Sequence, residues 1–163
     1  MSDAGDEDRK PPRPTARNNA HLEPEVVDGF MTVVLRCLKT TIGVEAVVAA
    51  VGEHEGQAPT IAVAVDLEGD VRGPVTWVFP PEIALELVRR LMEEPNPSPE
   101  SAADGAAELA NILTGHASSV LESHGFRCEM GPPRLHEGAL PAGVNVRIDT
   151  ATGPIDLVLS VTT

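Results

Sequence analysis

PESAADGAAELANILTGHASSVLESHG, residues 99–125, is the stretch that decides how this chain folds. Ser98 before it is a good N-cap, Pro99 suits the first helical position, and Glu100 lies near the positive end of the helix dipole. Gly125 supplies the C-terminal stop, so the spacing predicts one long helix running to His124. On a wheel at about 100° per residue, Ala106, Leu109, Ala110, Leu113, Ala117, Val120 and Leu121 gather on one side. Asp104, Glu108, Asn111, Gly115, Ser118 and Glu122 fall on the other side, within roughly 80° of arc. The apolar face is expected to pack on a sheet, with the opposite face a straight polar stripe.

The segments around that helix read as a sheet and its covers. From Glu23, Val26, Val27, Phe30, Val33, Val34, Cys37 and Leu38 recur at helical spacing, and Gly43 ends the run. Glu45–Val51, Thr60–Leu67 and Gly73–Phe79 are rich in Val, Ile and Ala and bounded by glycine, which predicts strands. The turn chemistry of Leu67–Val71 predicts that the second and third pair as a hairpin. Pro80-Pro81 opens a short helix through Met92, with Ile83, Leu87, Val88 and Leu91 inward. Beyond the long helix, Phe126–Met130, Arg134–His136, Val144–Thr150 and Ile155–Val161 alternate as strands, the last two forming a hairpin across 151–154. The order is α+β: an antiparallel-rich sheet covered by helices.

Composition limits what such a domain does. The chain has 163 residues and a net charge of −13, and residues 1–20 carry four acids and four bases, so the whole excess belongs to 21–163. Those first twenty residues hold too little large apolar surface to offset ordering entropy and read as a disordered tail before a domain of 21–163. An acidic domain is a poor binder of nucleic acid, whose phosphates are held by Lys and Arg. No apolar run approaches the roughly 18 residues that span a bilayer, and the charged, Pro-rich N-terminus is not a signal peptide. Cys37 and Cys128 lie far apart and read as two buried thiols in a reducing cytoplasm.

The polar stripe has more content than a solvated face requires. Solvated helix faces mix bases with acids four residues apart. This face has no base, and Asp104 and Glu108 stand i,i+4, a like-charge pair that mildly destabilises a helix. Asn111 is a poor helix former, and Gly115 costs about 1 kcal/mol relative to alanine. Both choices work against local stability, as they do where a surface is kept for another purpose. Glycine one turn beyond Asn111 also leaves the helix bare for the close approach of another backbone. An acidic chain carries acidic helix faces by default, so the stripe alone leaves both readings open.

Asp104-Gly-Ala-Ala-Glu108-Leu-Ala-Asn111-Ile-Leu-Thr-Gly115 resembles the signature of the CheX/CheC/FliY family of chemotaxis phosphatases. That signature places an acidic residue or Ser, three residues, Glu, two residues and Asn on a long helix, followed by an apolar pair and a glycine. Gly131-Pro-Pro-Arg-Leu-His-Glu-Gly138 resembles the family's P-x-x-x-x-G stretch, and the upstream element order matches. A single copy of the motif makes the CheX branch the more similar, with a CheC-like fold over residues 22–163. The resemblance implies hydrolysis of the aspartyl phosphate of a response-regulator receiver domain. Asn111 would orient the attacking water, Glu108 would pair with the receiver's lysine, and Asp104 and Gly115 would support docking. It implies no cofactor on this chain, with Mg²⁺ on the partner receiver. It also implies a homodimer in the cytoplasm, paired through an exposed edge strand of the C-terminal sheet. The alternative is a non-enzymatic module on the same fold that binds a receiver or another signalling partner.

Other chemistries lack their residues. The five histidines form no HExxH and no i,i+4 pair, and the cysteines add no ligand spacing, so a metal site is not expected. GxSxG and GxxxxGK[ST] are both absent, which argues against a serine hydrolase and a P-loop.

Overall fold

Residues 22–52, 60–93 and 95–163 are described in the computed structural model. Helix α1 (Pro24–Ile42) starts on a proline in its first turn and ends at Gly43, whose φ of 69° is the left-handed conformation glycine adopts without strain. Gly43 N–H donates to the Lys39 carbonyl at 3.0 Å and Val44 N–H to that of Leu38 at 3.2 Å, satisfying two of the helix's last carbonyls. Strands β1 (Ala46–Gly52), β2 (Ile61–Gly69) and β3 (Gly73–Phe79) follow, then α2 (Pro81–Met92) and α3 (Pro99–Ser123). Strands β4 (Cys128–Met130), β5 (Arg134–His136), β6 (Val144–Thr150) and β7 (Gly153–Leu159) complete the chain. The expected tail, 1–20, lies outside the described residues.

Among the described residues the seven strands form one antiparallel sheet in the order β1-β6-β7-β3-β2-β4, with β5 also pairing to β2. The fold class is therefore α+β, with an antiparallel sheet covered by helices, as the sequence predicts. Strands β2 and β3 form the expected hairpin, with Val65 opposite Val75. The sheet has two outer edges. One is β1, which among the described residues pairs only with β6. The other is built by β4 and β5 in succession along β2, with Met130 opposite Leu67 and Leu135 opposite Val63.

One face of the sheet meets all three helices. Val63, Val65, Leu67, Trp77, Ile148 and Leu157 lie in a single core with Phe30, Val34, Leu87, Leu109 and Leu113. Full burial of each large aliphatic or aromatic side chain contributes about 1.5–3 kcal/mol. Helix α3 does not simply lie on the sheet. It packs against α1 and α2 as well as over β2, and Val120 rests against Gly29 of α1.

Three strand boundaries differ from the sequence pattern, each because backbone groups bond elsewhere. Phe126 N–H donates to the Leu121 carbonyl at the end of α3 and Arg127 N–H to the Asp70 carboxylate, so β4 begins only at Cys128. Strand β7 begins at Gly153 because the Thr150 hydroxyl accepts from the amides of Thr152 and Gly153, tightening the turn. It stops at Leu159, beyond which Ser160 and Thr162 bond irregularly to Pro74 and Arg72, although Val161 remains buried. The final hairpin, β6 and β7, is interior; of the strands after α3, β4 and β5 form one outer edge, and β1, the first strand in the chain, forms the other.

Candidate functional site

Ser98 caps α3 as its sequence predicts, its Oγ accepting from Ser101 N–H at 3.1 Å. The helix is held in position by two contacts. Trp77 Nε1 on β3 donates to Thr114 Oγ1 at 2.8 Å inside the core. Gly105 lies directly on α2: a Cβ there would stand 2.5 Å from Val88 Cγ1, so only glycine lets the two helices come this close. Neither residue stands out in the sequence. The one signal for Gly105 was a glycine on the flank of an otherwise good helix.

The stripe is not uniformly open to solvent. Asp104, Glu108 and Glu122 are exposed, whereas Asn111, Gly115 and Ser118 are half-buried. The cause is the β4–β5 edge, which runs alongside the helix and contacts it. A Cβ on Gly115 would lie 3.7 Å from Met130 Cε, so the neighbour that uses this bare turn is a side chain of the chain itself. On the helix wheel Asn111 points between the directions of Thr114, which meets β3, and Gly115, which meets β4. Asn111 thus lies half-buried on the side of α3 nearest the sheet edge, and Glu108 stands one turn away, exposed.

Glu108 and Asn111 are i,i+3 and project from neighbouring positions of one rigid helix. Among the described residues, neither side chain has a hydrogen-bond or ion-pair partner, and nor does Asp104. The structure therefore brings Asp104, Glu108, Asn111 and Gly115 onto one surface with their polar groups uncommitted. An amide there can both donate and accept, and a carboxylate can take a charge-assisted bond from an ammonium group.

Two flanking residues were not singled out in the sequence, although Leu135 lies within the 131–138 stretch. Met130 and Leu135 sit on the same sheet face as Leu67 and Val63, their cross-strand partners, which is the face that meets α3. Their placement depended on β4 and β5 both pairing with β2, which no local pattern specifies.

Among the described residues, no group of three His, Cys, Asp or Glu side chains is arranged to hold a metal ion. None of their helices is long and apolar enough to cross a membrane. Cys37 is buried, but Cys128 is only half-buried; burial and the nearby Glu122 carboxylate push its thiol pKa up, so it is a poor nucleophile.

The family model described as chemotaxis phosphatase CheX matches residues 61–147, which include the whole stripe from Asp104 to Glu122. Among solved structures, the chemotaxis protein CheX from Vibrio vulnificus is 20% identical with a TM-score of 0.70, covering 85% of this chain and 98% of its own. A chain of the CheX-CheY-BeF3-Mg²⁺ complex from Borrelia burgdorferi is 19% identical with a TM-score of 0.64, covering 85% and 98%. The FliY structure from Thermotoga maritima is 16% identical with a TM-score of 0.66, covering 85% and 91%. At these identities the structures establish a shared fold. No curated protein sequence matches.

Proposed function

The chain belongs to the family of the chemotaxis phosphatase CheX, and we propose that it hydrolyses the aspartyl phosphate of a response-regulator receiver domain. The observation that carries this reading is the pairing of Glu108 and Asn111, without internal partners among the described residues, on one face of α3. The solved complex of a structurally similar CheX with CheY, BeF3 and Mg²⁺ supports a receiver as the partner.

The chemistry follows from the residue types. The oxygen of a water attacks phosphorus, the bond from phosphorus to the aspartyl oxygen breaks, and inorganic phosphate leaves as the carboxylate is restored. Asn111 holds that water in line through its amide, which has no charge to repel a phosphoryl group. Glu108 accepts a charge-assisted bond from the receiver's active-site lysine and so fixes the register of docking. Positioning and electrostatics make up most of phosphoryl-transfer catalysis, and a rigid helix inserted in trans supplies both. Asp104 and Gly115 shape the docking face. The Mg²⁺ is the receiver's, and this chain brings no cofactor; the encounter takes place in the cytoplasm.

Our reading includes a homodimer. Among the described residues strand β1 has one unpaired edge, with Val47 and Val51 62% and 61% exposed, and free apolar edges pair with other strands. Sedimentation that finds only monomer at high concentration would remove this part.

The deciding experiment follows phosphate loss from a panel of phosphorylated receivers, with wild type and Asn111→Ala side by side. Wild type is expected to accelerate loss from at least one receiver, and Asn111→Ala to lose about 100-fold of that acceleration. Binding without acceleration by wild type would instead identify a non-enzymatic receiver-binding module.

A further inference from the structure

The sheet edge beside α3 is apolar on the face that meets the helix, and one member of it is uncovered. Cys128, Met130 and Leu135 share the sheet face that meets α3, because their partners on β2 are Gly69, Leu67 and Val63. Cys128 and Met130 pack against the core, whereas Leu135 is 53% exposed. Strands β4 and β5 both run antiparallel to β2, so the edge proceeds in one direction from the end of α3 toward its start. Met130 stands beside Gly115, and β5, which carries Leu135, also contacts α3.

The charged neighbours of Leu135 point away from this face. Arg134 pairs with Ala64, on the opposite side of the sheet, and bonds the Asp66 carboxylate at 3.2 Å. His136 pairs with Ala62 on that same far side, and its Nε2 meets the Ala139 carbonyl at 2.8 Å. The surface shared by α3 and this edge therefore offers carboxylates at Asp104, Glu108 and Glu122 and a leucine, with no Lys or Arg on the helix.

We infer that Leu135 is a docking residue that selects the partner: it receives an apolar side chain displayed next to the lysine on the receiver's surface. Charge complementarity names the occupant. An acidic, base-free helix face suits a surface carrying an ammonium group, and the exposed leucine beside it suits an apolar contact adjoining that group. This inference rests on the receiver reading above. It adds a residue outside the helix, which contributes affinity and partner choice and leaves the chemical step alone.

The test is steady-state dephosphorylation of the receiver that responds in the panel, by wild type, Leu135→Ala, Leu135→Asp, Leu135→Met and Asn111→Ala. Leu135→Ala is expected to raise KM about fivefold with kcat unchanged, and Leu135→Asp to raise it at least about tenfold. Leu135→Met, which keeps an apolar side chain of similar volume, is expected to retain wild-type KM. Half-exposure of the site lets all three fold, which circular dichroism checks. An unchanged KM in Leu135→Asp, with Asn111→Ala still losing kcat, overturns the inference and leaves the receiver reading standing. A fall in kcat at constant KM overturns it too, since the residue would then act on the chemical step. A wild type that neither binds nor dephosphorylates any receiver overturns the reading itself, and the inference with it.

Discussion

Helices α2 and α3 lie against each other, bury one face each in the same core and present the other to water, yet they treat their surface carboxylates in opposite ways. On α2, Glu86 is clasped by Arg89, with bonds of 2.9 and 2.7 Å, and by Arg90 at 3.1 Å. The two guanidinium groups hold its carboxyl down to about 2 from an ordinary 4.5. On α3, Asp104 and Glu108 stand without a Lys or Arg anywhere on the helix, and Asn111 has no internal partner among the described residues. A face that only has to be soluble balances its charges within itself, as α2 does. The face of α3 leaves its groups uncommitted, and an uncommitted carboxylate and amide on a rigid helix are what a partner in trans can engage.

Charge reversal at equivalent places on the two helices gives the sharpest contrast and the largest effect. Glu108→Lys sets an ammonium against the receiver's lysine, and dephosphorylation is expected to fall about 100-fold, with thermal stability within about 0.5 kcal/mol of wild type. Glu86→Lys is expected to leave the rate within about twofold, because nothing on α2 engages the receiver. A comparable loss from both variants would break the comparison, since net charge rather than a site would then be at work.

The seam between the helices comes next. Gly105→Ala drives a methyl into Val88 and is expected to cost about 1–3 kcal/mol in chemical denaturation, with the rate per folded molecule lowered as α3 is pushed off its seat. Thr114→Val keeps the side-chain shape but strands the buried Trp77 indole N–H, a loss of about 1–2 kcal/mol read from the same melts. If either variant proved neutral, α3 would not be held as rigidly as the docking argument requires.

What could be read in advance follows from where the information is local. Helix ends are specified within a few residues, so Ser98, Pro99 and Gly43 marked their caps correctly, and α2 was bounded by Pro81 and Met92 as expected. The polar stripe was likewise legible, because a helix has one period and the wheel places Asp104, Glu108, Asn111 and Gly115 together. The semi-buried state of Asn111 was not legible. It depends on β4 and β5 lining up along β2, a pairing between residues 59 to 74 apart in the chain. For the same reason Leu135 was invisible: its local neighbours are a pair of prolines and two polar residues, and only the register with Val63 turns it toward α3. An edge among the strands after α3 is present in β4 and β5, but that β6 and β7 are interior was not legible: they look locally like any terminal hairpin, and β1 crosses over to cover β6.

The smallest expected effect tests the α2 side of the comparison by itself. Glu86 has a folded-state pKa below its unfolded value, so its ion pairs stabilise the fold fully above about pH 4.5, and that contribution is lost as the pH falls toward about 2. Glu86→Gln is therefore expected to melt slightly below wild type near neutral pH, with the gap closing between pH 4.5 and 2. The group is exposed, so solvent screens it and the gap stays small. Adding 1 M salt at pH 7 is expected to close it as well, because the screening length drops to about 3 Å. A gap that survived both acid and salt would come from the helix propensity of Gln against Glu, and Glu86 would then be no more committed to its arginines than Glu108 is to any group on its own chain.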